Sequence, residues 1–238
     1  MKSLYIVMPA YNEAENIEAT IKQWYPIVEK VRFGGADCKL VVGNDGSRDD
    51  TLRILQDLKE NYPNLIPLSK NNTGHGATLL YLYRYALENN ADYVFQTDSD
   101  GQTDPDEFWD LWSNRDCFDV QIGNRYSRQD GRSRKFVSTV LRVVVYLIFH
   151  EWVKDANTPF RLMNADKLEK LMTVIPNDFF LCNVAIAAIA QKWNYKVRWC
   201  NITFKPRQGG KNSINMRRIF KIGWKALWDF KIISKKLG

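Results

Sequence analysis

The chain has 238 residues, 45% of them hydrophobic, which is enough to bury the core of one or two globular domains. Eight Trp, eleven Tyr and twelve Phe argue against a disordered chain. The net charge of +7 is uneven: ten Lys and Arg but a single acid, Asp229, follow residue 200, and the first 200 residues sum to −2. A basic C-terminal segment of this kind is typical of a chain with an anionic partner, either nucleic acid or an anionic membrane surface.

The cysteines and the N-terminus indicate the compartment. Cys38, Cys117, Cys182 and Cys200 are widely spaced and form no C-x-x-C pair, which argues against a zinc site and favours free thiols. The first apolar run is too short for a signal peptide, and no window reaches the roughly 18 apolar residues of a spanning helix. The sequence therefore predicts a cytoplasmic protein, or one attached peripherally to the cytoplasmic face of a membrane.

Over the first 125 residues, short apolar runs alternate with segments of helical spacing. Strands are predicted at 4–8, 39–43, 64–68, 92–97 and 119–123, and helices at 13–30, 49–60, 76–90 and 105–113. Strands that are apolar throughout indicate a mostly parallel sheet buried on both faces by helices, an α/β doubly wound domain. In such a sheet the polar loops that follow the strands gather at one edge, where ligands bind.

After the strand at 92–97, four aspartates lie within nine residues. Residues i and i+2 at a strand end face the same side, so Asp98 and Asp100 can share one cation, to which Gln102 could add a neutral oxygen. Such hard oxygen ligands suit Mg²⁺ or Mn²⁺. An EF-hand is excluded, because Thr and Trp occupy the loop positions that need Gly and Glu. The alternative is a polar turn that caps the next helix, which explains Asp104 and Pro105 but leaves the first two aspartates unexplained.

The second half of the chain predicts helices at 135–153, 164–173 and 180–192, a loop at 155–164, a strand at 195–204 and a final helix from about Asn215. The helix at 135–153 has apolar residues at helical spacing: Phe136, Val137, Val140, Val144, Leu147 and Ile148. The final helix has an aromatic and apolar face of Phe220, Trp224, Leu227 and Trp228, and a basic face of Arg217, Arg218, Lys221 and Lys225. Separate basic and aromatic faces predict an interfacial helix on anionic lipid and argue against nucleic acid binding. The alternative is a helix that packs its aromatic face onto the core.

Four polar segments, in order and in spacing, carry a resemblance to a known family: PAYNEAENI, NDGSRDDT, NNTGHGA and DSDGQTDP. They resemble an inverting family 2 glycosyltransferase with the GT-A fold, and within it the dolichyl- and polyprenyl-phosphate sugar transferases. Asp98, Asp100 and Gln102 match the Asp-x-Asp-x-Gln metal motif of that branch. The resemblance runs from Pro9 to Ser213. It implies a GT-A domain over 1–213, with a Rossmann-like, mostly parallel sheet flanked by helices, followed by a basic amphipathic helix over 214–238.

The resemblance implies a nucleotide pocket at one edge of the sheet. Its residues would be Pro9, Ala10, Tyr11, Glu13, Asn44, Asp45, Gly74, Asp98 and Ser99. Tyr11 can stack on a base and Glu13 can accept from ribose hydroxyls; alternatively, Asn12 caps a helix that starts with Glu13. Asp45 is a candidate base or ribose contact, with an Asp-Gly turn as the alternative. Asn44 stands where the family usually has an acid.

The acceptor side is implied by three further segments: GNRYSRQDGRSRK, VKDANTPFRLM and FKPRQGGKNS. They offer phosphate contacts at Arg125, Arg161, Arg207 and Lys211, and the catalytic candidates are Asp100, Arg125, Asp155 and Arg207. Arginine suits this role because it can bind two phosphate oxygens at once. Asp155 is a candidate for an orienting or base role. His75 and His150, the two histidines, are predicted to be structural.

These features together predict an enzyme: metal-dependent, inverting transfer of a sugar from a nucleoside-diphosphate sugar to a polyprenyl (dolichyl or undecaprenyl) phosphate. The acceptor phosphate is already anionic, so a strong general base is unnecessary. One alternative is a saccharide acceptor in surface-polysaccharide synthesis, whose hydroxyl would need a carboxylate in reach. A second, suggested by Asn44, is a non-catalytic nucleotide- or membrane-binding module. Expected partners are the sugar donor, the lipid acceptor and an anionic membrane surface, with a second copy of the chain as a further candidate, but no nucleic acid.

Overall fold

The computed structural model describes residues 1–125, 132–155, 157–205 and 227–236, with the side chains of all of these except 132–138. Within these residues the strands are β1 (Ser3–Ala10), β2 (Asp37–Asp45), β3 (Leu65–Lys70), β4 (Tyr93–Gln96), β5 (Val120–Arg125), β6 (Arg161–Asn164) and β7 (Val197–Ile202). The helices are α1 (Ile17–Phe33), α2 (Thr51–Asn61), α3 (His75–Glu88), α4 (Phe108–Ser113), α5 (Arg132–Phe149), α6 (Ala165–Val174), α7 (Cys182–Lys192) and α8 (227–236), and a 3₁₀ turn, Pro105–Glu107, precedes α4.

The strands form one mostly parallel sheet in the order β3-β2-β1-β4-β6-β5-β7, which confirms the predicted α/β class. β6 alone, among the described strands, runs antiparallel to its neighbours β4 and β5. The prediction of a loop over 155–164 is wrong for its last four residues. Arg161 pairs with Gln96 on one side and with Ile122 on the other, so this short strand is stabilised by two neighbours that are distant in sequence.

Both faces of the sheet are buried, as the apolar strands predicted. Along β1, Tyr5 and Val7 belong to one hydrophobic cluster, and Leu4, Ile6 and Met8 belong to the other. Helices α3, α5, α6, α7 and α8 contribute to the first cluster, and α1, α2 and α4 contribute to the second. Alternate residues of a strand point to opposite faces, so a strand that is apolar at every position must be covered by helices on both sides.

In the described part of the final helix, two residues outside the predicted aromatic face pack onto the core. On α8 the ring of Phe230 packs against Phe149 and Phe179, at centroid distances of 5.6 and 5.3 Å, and Ile233 is buried. Trp228, in contrast, is 61% exposed. The predicted basic face, together with Phe220, Trp224 and the proposed boundary at 213/214, lies outside the described residues. None of the helices in the described ranges combines the length and apolar character needed to cross a bilayer.

The parallel strands end at one edge of the sheet, and their register places the ends side by side. Ala10 of β1 pairs with Asn44 of β2, which pairs with Ser69 of β3, and the next pair along is Asp45 with Lys70. The loops that follow β1, β2, β3 and β4 therefore meet at this edge, where the sequence places its polar segments.

Candidate functional site

Asp45, at the end of β2, holds the loop that follows β3. Its carboxylate accepts hydrogen bonds from the Lys70 ammonium, from Thr73 N at 2.9 Å and from Gly74 N at 2.9 Å. Burial acts to raise the pKa of Asp45, but the hydrogen bonds from Lys70, Thr73 and Thr78 outweigh it and lower the pKa. The buried carboxylate is therefore ionised and orders the loop, and its predicted nucleotide contact stays a prediction.

The loop after β1 is tied to the loop after β2. Asn12 lies in the left-handed region at φ 54°, its Oδ1 accepts from Arg48 N at 2.8 Å, and its own N–H donates to Ser47 Oγ at 3.0 Å. Helix α1 begins only at Ile17 with Asn16 at the cap position, so the alternative in which Asn12 caps this helix is wrong. The loop geometry leaves Tyr11 44% exposed at the edge of the sheet.

Several residues that were predicted to contact the nucleotide are buried and stabilise this edge of the sheet. Asn44 is buried, and its amide donates to Ser69 Oγ at 3.0 Å and accepts from Ser47 N at 3.3 Å. Ser99 Oγ donates to the carbonyl of Pro9 at 2.8 Å, which ties the aspartate segment to the end of β1. Glu13 is also buried. Their roles toward a nucleotide stay predictions.

The aspartate segment after β4, residues 98–106, contains two separate arrangements, as the sequence suggested. Asp104 caps the 3₁₀ turn, because its side chain accepts from Asp106 N at 3.2 Å and Pro105 occupies the first position. A hydrogen bond from Lys205, whose ammonium lies 3.0 Å away, lowers the pKa of Asp104. Capping therefore explains this half of the cluster, and Asp98 and Asp100 belong to a different arrangement.

Asp98 and Asp100 flank the buried Ser99 and are themselves partly exposed. Asp98 Oδ1 lies 3.2 Å from His75 Nε2, and Asp100 Oδ1 accepts from Gln102 N at 3.2 Å. The Gln102 side chain donates its Nε2 to the Lys205 carbonyl at 2.8 Å, which keeps the amide oxygen for another partner. In the described part of the chain, no three His, Cys, Asp or Glu side chains converge on one point. The oxygen donors fit a hard divalent ion that is completed by phosphate oxygens.

His75 is the residue of this edge that the sequence interpretation missed. Its ring contacts Asp98 from the first turn of α3, although we predicted a structural role. Partial burial acts to lower the pKa of His75, but Asp98, with Asp100 and Asp45 further away, outweighs this effect and raises the pKa. The available signal was its position in the polar loop after β3, one of the four loops expected at this edge.

Two glycines shape this loop. Gly74 has φ 92°, a conformation that favours glycine, and it places its N–H toward Asp45. At Gly76, a Cβ would lie 2.3 Å from the Phe180 carbonyl oxygen and 2.4 Å from that of Phe179. Gly76 therefore lets the first turn of α3 pack directly on the backbone that leads into α7.

We expect Gly76→Ala to destabilise the fold by about 1–3 kcal/mol, because the new methyl group meets backbone that cannot rotate away. Urea unfolding measures this change. Gly34→Ala is the matched control: its Cβ would lie 3.4 Å from the nearest atom, an ordinary contact, and its φ is −74°. Equal unfolding midpoints for both variants would contradict the close packing of α3.

Arg125 and Asp155 form a buried ion pair on the other half of the edge. Arg125 Nε lies 2.7 Å from Asp155 Oδ2, its Nη2 lies 2.8 Å from Oδ1, and the two side chains are 8% and 10% exposed. The guanidinium also lies 4.9 Å from the centroid of the Phe204 ring. The structure thus brings two predicted site residues together, but it uses the guanidinium to hold the carboxylate. The predicted phosphate and base roles stay predictions.

Arg161, predicted to bind the acceptor phosphate, is fully buried. It donates to the carbonyls of Thr158 at 2.9 Å and Asn183 at 2.6 Å, and burial lowers its pKa. The structure thus uses Arg161 to hold these two carbonyls, and its predicted contact with the acceptor phosphate stays a prediction. Arg207 and Lys211 lie outside the described residues.

A family-level comparison agrees with this arrangement. The family described as Glycosyl transferase family 2 matches residues 5–187, which run from β1 through most of α7 and include all four loops of the edge. The chain belongs to glycosyl transferase family 2. The predicted family and enzyme class are thereby confirmed.

Two relatives of this family 2 glycosyltransferase are informative. It is 23% identical over 224 residues to a dolichyl-phosphate beta-glucosyltransferase of Trichomonas vaginalis, covering 89% of this chain and 68% of the relative. It is 26% identical over 143 residues to an undecaprenyl-phosphate 4-deoxy-4-formamido-L-arabinose transferase of Pseudomonas fluorescens, covering 59% of this chain and 40% of the relative.

Solved structures confirm the predicted GT-A fold of the glycosyltransferase. Glucosyl-3-phosphoglycerate synthase from Mycobacterium tuberculosis, in complex with Mn²⁺, uridine diphosphate and glucosyl-3-phosphoglycerate, matches it with a TM-score of 0.70. The match covers 98% of this chain and 80% of the other at 16% identity. At this identity the likeness concerns the fold.

Proposed function

We propose that this glycosyltransferase moves a sugar, with inversion, from a nucleoside-diphosphate sugar to the phosphate of a polyprenyl lipid, and that a divalent cation assists. One observation carries the proposal. The loops after β2 and β3, joined by the hydrogen bonds of Asp45, meet the aspartate segment after β4 through the 3.2 Å contact of His75 with Asp98. This edge can therefore offer a nucleotide and its diphosphate a single continuous surface.

The donor side rests on the aspartate segment. Asp98, Asp100 and Gln102 would hold Mg²⁺ or Mn²⁺, which proteins commonly bind through one or two carboxylates plus substrate phosphates. The bound cation would stabilise the charge of the departing diphosphate. The structural relative with Mn²⁺ and uridine diphosphate supports this assignment. The ring of Tyr11, exposed on the loop after β1, would stack on the nucleotide base.

The acceptor side favours a phosphate over a saccharide hydroxyl. A hydroxyl acceptor must lose a proton to a base, and a phosphate at neutral pH need not. Both oxygens of Asp155 accept a charge-assisted hydrogen bond from Arg125, so the carboxylate nearest to this side is already engaged by a guanidinium. The two relatives named for dolichyl and undecaprenyl phosphate support the same choice.

In the proposed reaction, an oxygen of the lipid phosphate attacks the anomeric carbon of the sugar. The bond from that carbon to the diphosphate oxygen breaks, and the nucleoside diphosphate leaves with the bonding electrons. A single displacement inverts the anomeric centre. Arg125, Arg207 and Lys211 would attract the acceptor phosphate, as the family resemblance implies.

The lipid acceptor requires contact with a membrane, and α5 and α8 present a suitable surface. The exposed apolar side chains of these two helices are Val140, Val143, Tyr146, Leu147, Trp228 and Ile232, and the side chain of neighbouring Trp152 is exposed as well. The Arg142 guanidinium lies 5.9 Å from the Trp152 ring, and the Lys231 ammonium lies 5.9 Å from the Trp228 ring. An exposed aromatic and apolar surface with cations at its border suits the headgroup region of an anionic membrane. Peripheral attachment at the cytoplasmic face is therefore part of the proposal.

A donor screen tests the function. The full chain is incubated with Mn²⁺, undecaprenyl or dolichyl phosphate, and a panel of uridine- and guanosine-diphosphate sugars, and the lipid product is identified by mass. We expect one donor to give a polyprenyl phosphate that carries one sugar. Transfer only to added saccharides would favour the surface-polysaccharide alternative. Donor binding without turnover on any acceptor would favour the non-catalytic module.

We expect the double variant Leu147→Ser, Trp228→Ser to weaken binding to phosphatidylglycerol vesicles by about tenfold or more, because it removes apolar area that would enter the bilayer. Cosedimentation of the full chain measures this change. Phe33→Ser is the control, because Phe33 is 98% exposed but ends α1, on the opposite face of the sheet. Unchanged binding of the double variant would show that α5 and α8 do not form the membrane surface.

A further inference from the structure

We propose that His75 is a direct ligand of the divalent cation, beside Asp98, and that it makes the site prefer Mn²⁺ and Co²⁺ over Mg²⁺. The inference rests on the proposed function, which places a cation at the aspartate segment. It assigns a nitrogen ligand to a site for which the sequence suggested oxygen ligands alone.

The distance between the two side chains is the first argument. His75 Nε2 and Asp98 Oδ1 are 3.2 Å apart. Two neighbouring ligands of an octahedral ion, with bonds of about 2.1 Å, lie about 3 Å from each other. The two atoms are thus spaced as a pair of adjacent ligands. Both remain accessible, since the side chains are 45% and 26% exposed.

The backbone that carries His75 is held firmly, which is the second argument. Gly74 N donates to the buried Asp45, and Gly76 packs against the carbonyls of Phe179 and Phe180. The residue between these two glycines therefore has little freedom of position. A preorganised ligand loses less entropy when the ion binds than a mobile one does.

The third argument is the charge around the ring. Asp100 and Asp45 lie close enough to His75 to interact with it electrostatically, in addition to Asp98. Asp45 is compensated by Lys70, so a cation at this point would chiefly offset the negative charge of Asp98 and Asp100. Imidazole nitrogen binds first-row transition ions better than it binds Mg²⁺, which prefers oxygen and holds its waters. The mixed ligand set therefore predicts the metal preference.

A purely supporting role for His75 makes different predictions. In that case the ring donates a hydrogen bond to Asp98 and never touches the ion, as outer-shell partners of metal sites do. Removal of the imidazole would then weaken the binding of Mn²⁺, Co²⁺ and Mg²⁺ to a similar extent. The bound metal would have no nitrogen ligand. Spectroscopy of the bound ion separates the two cases.

The test uses the full chain with Mn²⁺ and inorganic pyrophosphate, which stands in for the donor diphosphate. Pulsed electron paramagnetic resonance detects ¹⁴N coupling from a coordinated imidazole, and the free Mn²⁺ signal gives the dissociation constant. His75→Ala and His75→Gln are compared with His150→Asn, which alters the one other histidine of the chain. Asparagine suits that control because His150 has φ 59°. Far-UV circular dichroism checks that each variant is folded.

We expect ¹⁴N coupling in the wild type and in His150→Asn, and its loss in both His75 variants. Loss of outer-shell partners weakens metal binding by about 10–100-fold. Loss of a direct ligand should therefore lower the affinity for Mn²⁺ and Co²⁺ by about tenfold or more. Mg²⁺ affinity should change by less than about threefold, because Mg²⁺ gains little from imidazole.

Three outcomes overturn the inference, and Asp98→Asn identifies the first of them. If the wild type binds Mn²⁺ without nitrogen coupling and Asp98→Asn abolishes that binding, His75 is not a ligand but the proposed metal site stands. If the wild type fails to bind Mn²⁺ with pyrophosphate, the metal dependence in the proposed function fails as well. Coupling that persists in His75→Ala also overturns the assignment.

Discussion

Asp98→Asn is expected to lower kcat/KM for sugar transfer by about a thousandfold or more. The substitution keeps the size of the side chain but removes the charge that would hold the cation against the departing diphosphate. Electrostatic groups aimed at developing charge are commonly worth about a hundredfold to a thousandfold each, and here the loss of the ion adds to the loss of the carboxylate. Initial rates over a range of donor concentrations that extends below KM, at a fixed lipid phosphate concentration, give the comparison once the donor screen has identified the substrates.

The matched control for this prediction lies in the same loop. Asp106→Asn makes the same chemical change eight residues further on, where the side chain is exposed and follows the capping residue Asp104. We expect it to retain the wild-type rate within about twofold, since a surface substitution of this kind perturbs little. Equal rates for the Asp98 and Asp106 variants would remove the basis for a metal-assisted mechanism.

Arg125→Met is expected to be the most destabilising single change near the site, at about 3–5 kcal/mol. It keeps an apolar stem beside Phe204 but removes the guanidinium that makes two hydrogen bonds to Asp155. That carboxylate, 10% exposed, is then left in a largely dry position without its bidentate partner. Differential scanning calorimetry should show a fall in Tm of about 10 °C for a chain of this length.

A second variant distinguishes the loss of the pair from the loss of packing. Arg125→Met combined with Asp155→Leu removes both charges, and buried ion pairs replaced by apolar residues of similar volume are often neutral in stability. The double variant should therefore recover most of the lost Tm. Arg53→Met breaks an exposed pair with Asp57 on α2 and should leave Tm unchanged. A single variant as stable as the wild type would contradict a structural role for the Arg125–Asp155 pair.

Sequence patterns predicted the features that depend on neighbours along the chain. The strands of the parallel sheet, the 3₁₀ cap at Asp104 and Pro105, and the gathering of four polar loops all follow from local patterns and from the rule for strand ends. β6 could not be recognised in this way, because four residues carry little periodicity and the strand is stabilised by partners about 40 to 70 residues away.

The site shows the same division. Asp98 was recognised because carboxylates in close sequence are unusual, but its contact with His75 joins residues 23 positions apart and has no local signature. The pairing of Arg125 with Asp155 spans 30 positions and turns two separate predictions into one buried unit. Arg161 shows a further limit: its motif predicts a phosphate contact but gives no sign that the side chain is fully buried, which only the fold reveals.

The antiparallel strand β6 also separates two charged parts of the edge. It lies between β4, which leads into Asp98, and β5, which ends in Arg125. Each step across a sheet is about 4.8 Å, so the ends of β4 and β5 lie roughly 10 Å apart. If those strands were adjacent, the carboxylate of Asp98 could compete with Asp155 for the Arg125 guanidinium. The inserted strand keeps the two carboxylates apart, so that Asp155 retains Arg125 and Asp98 stays beside His75.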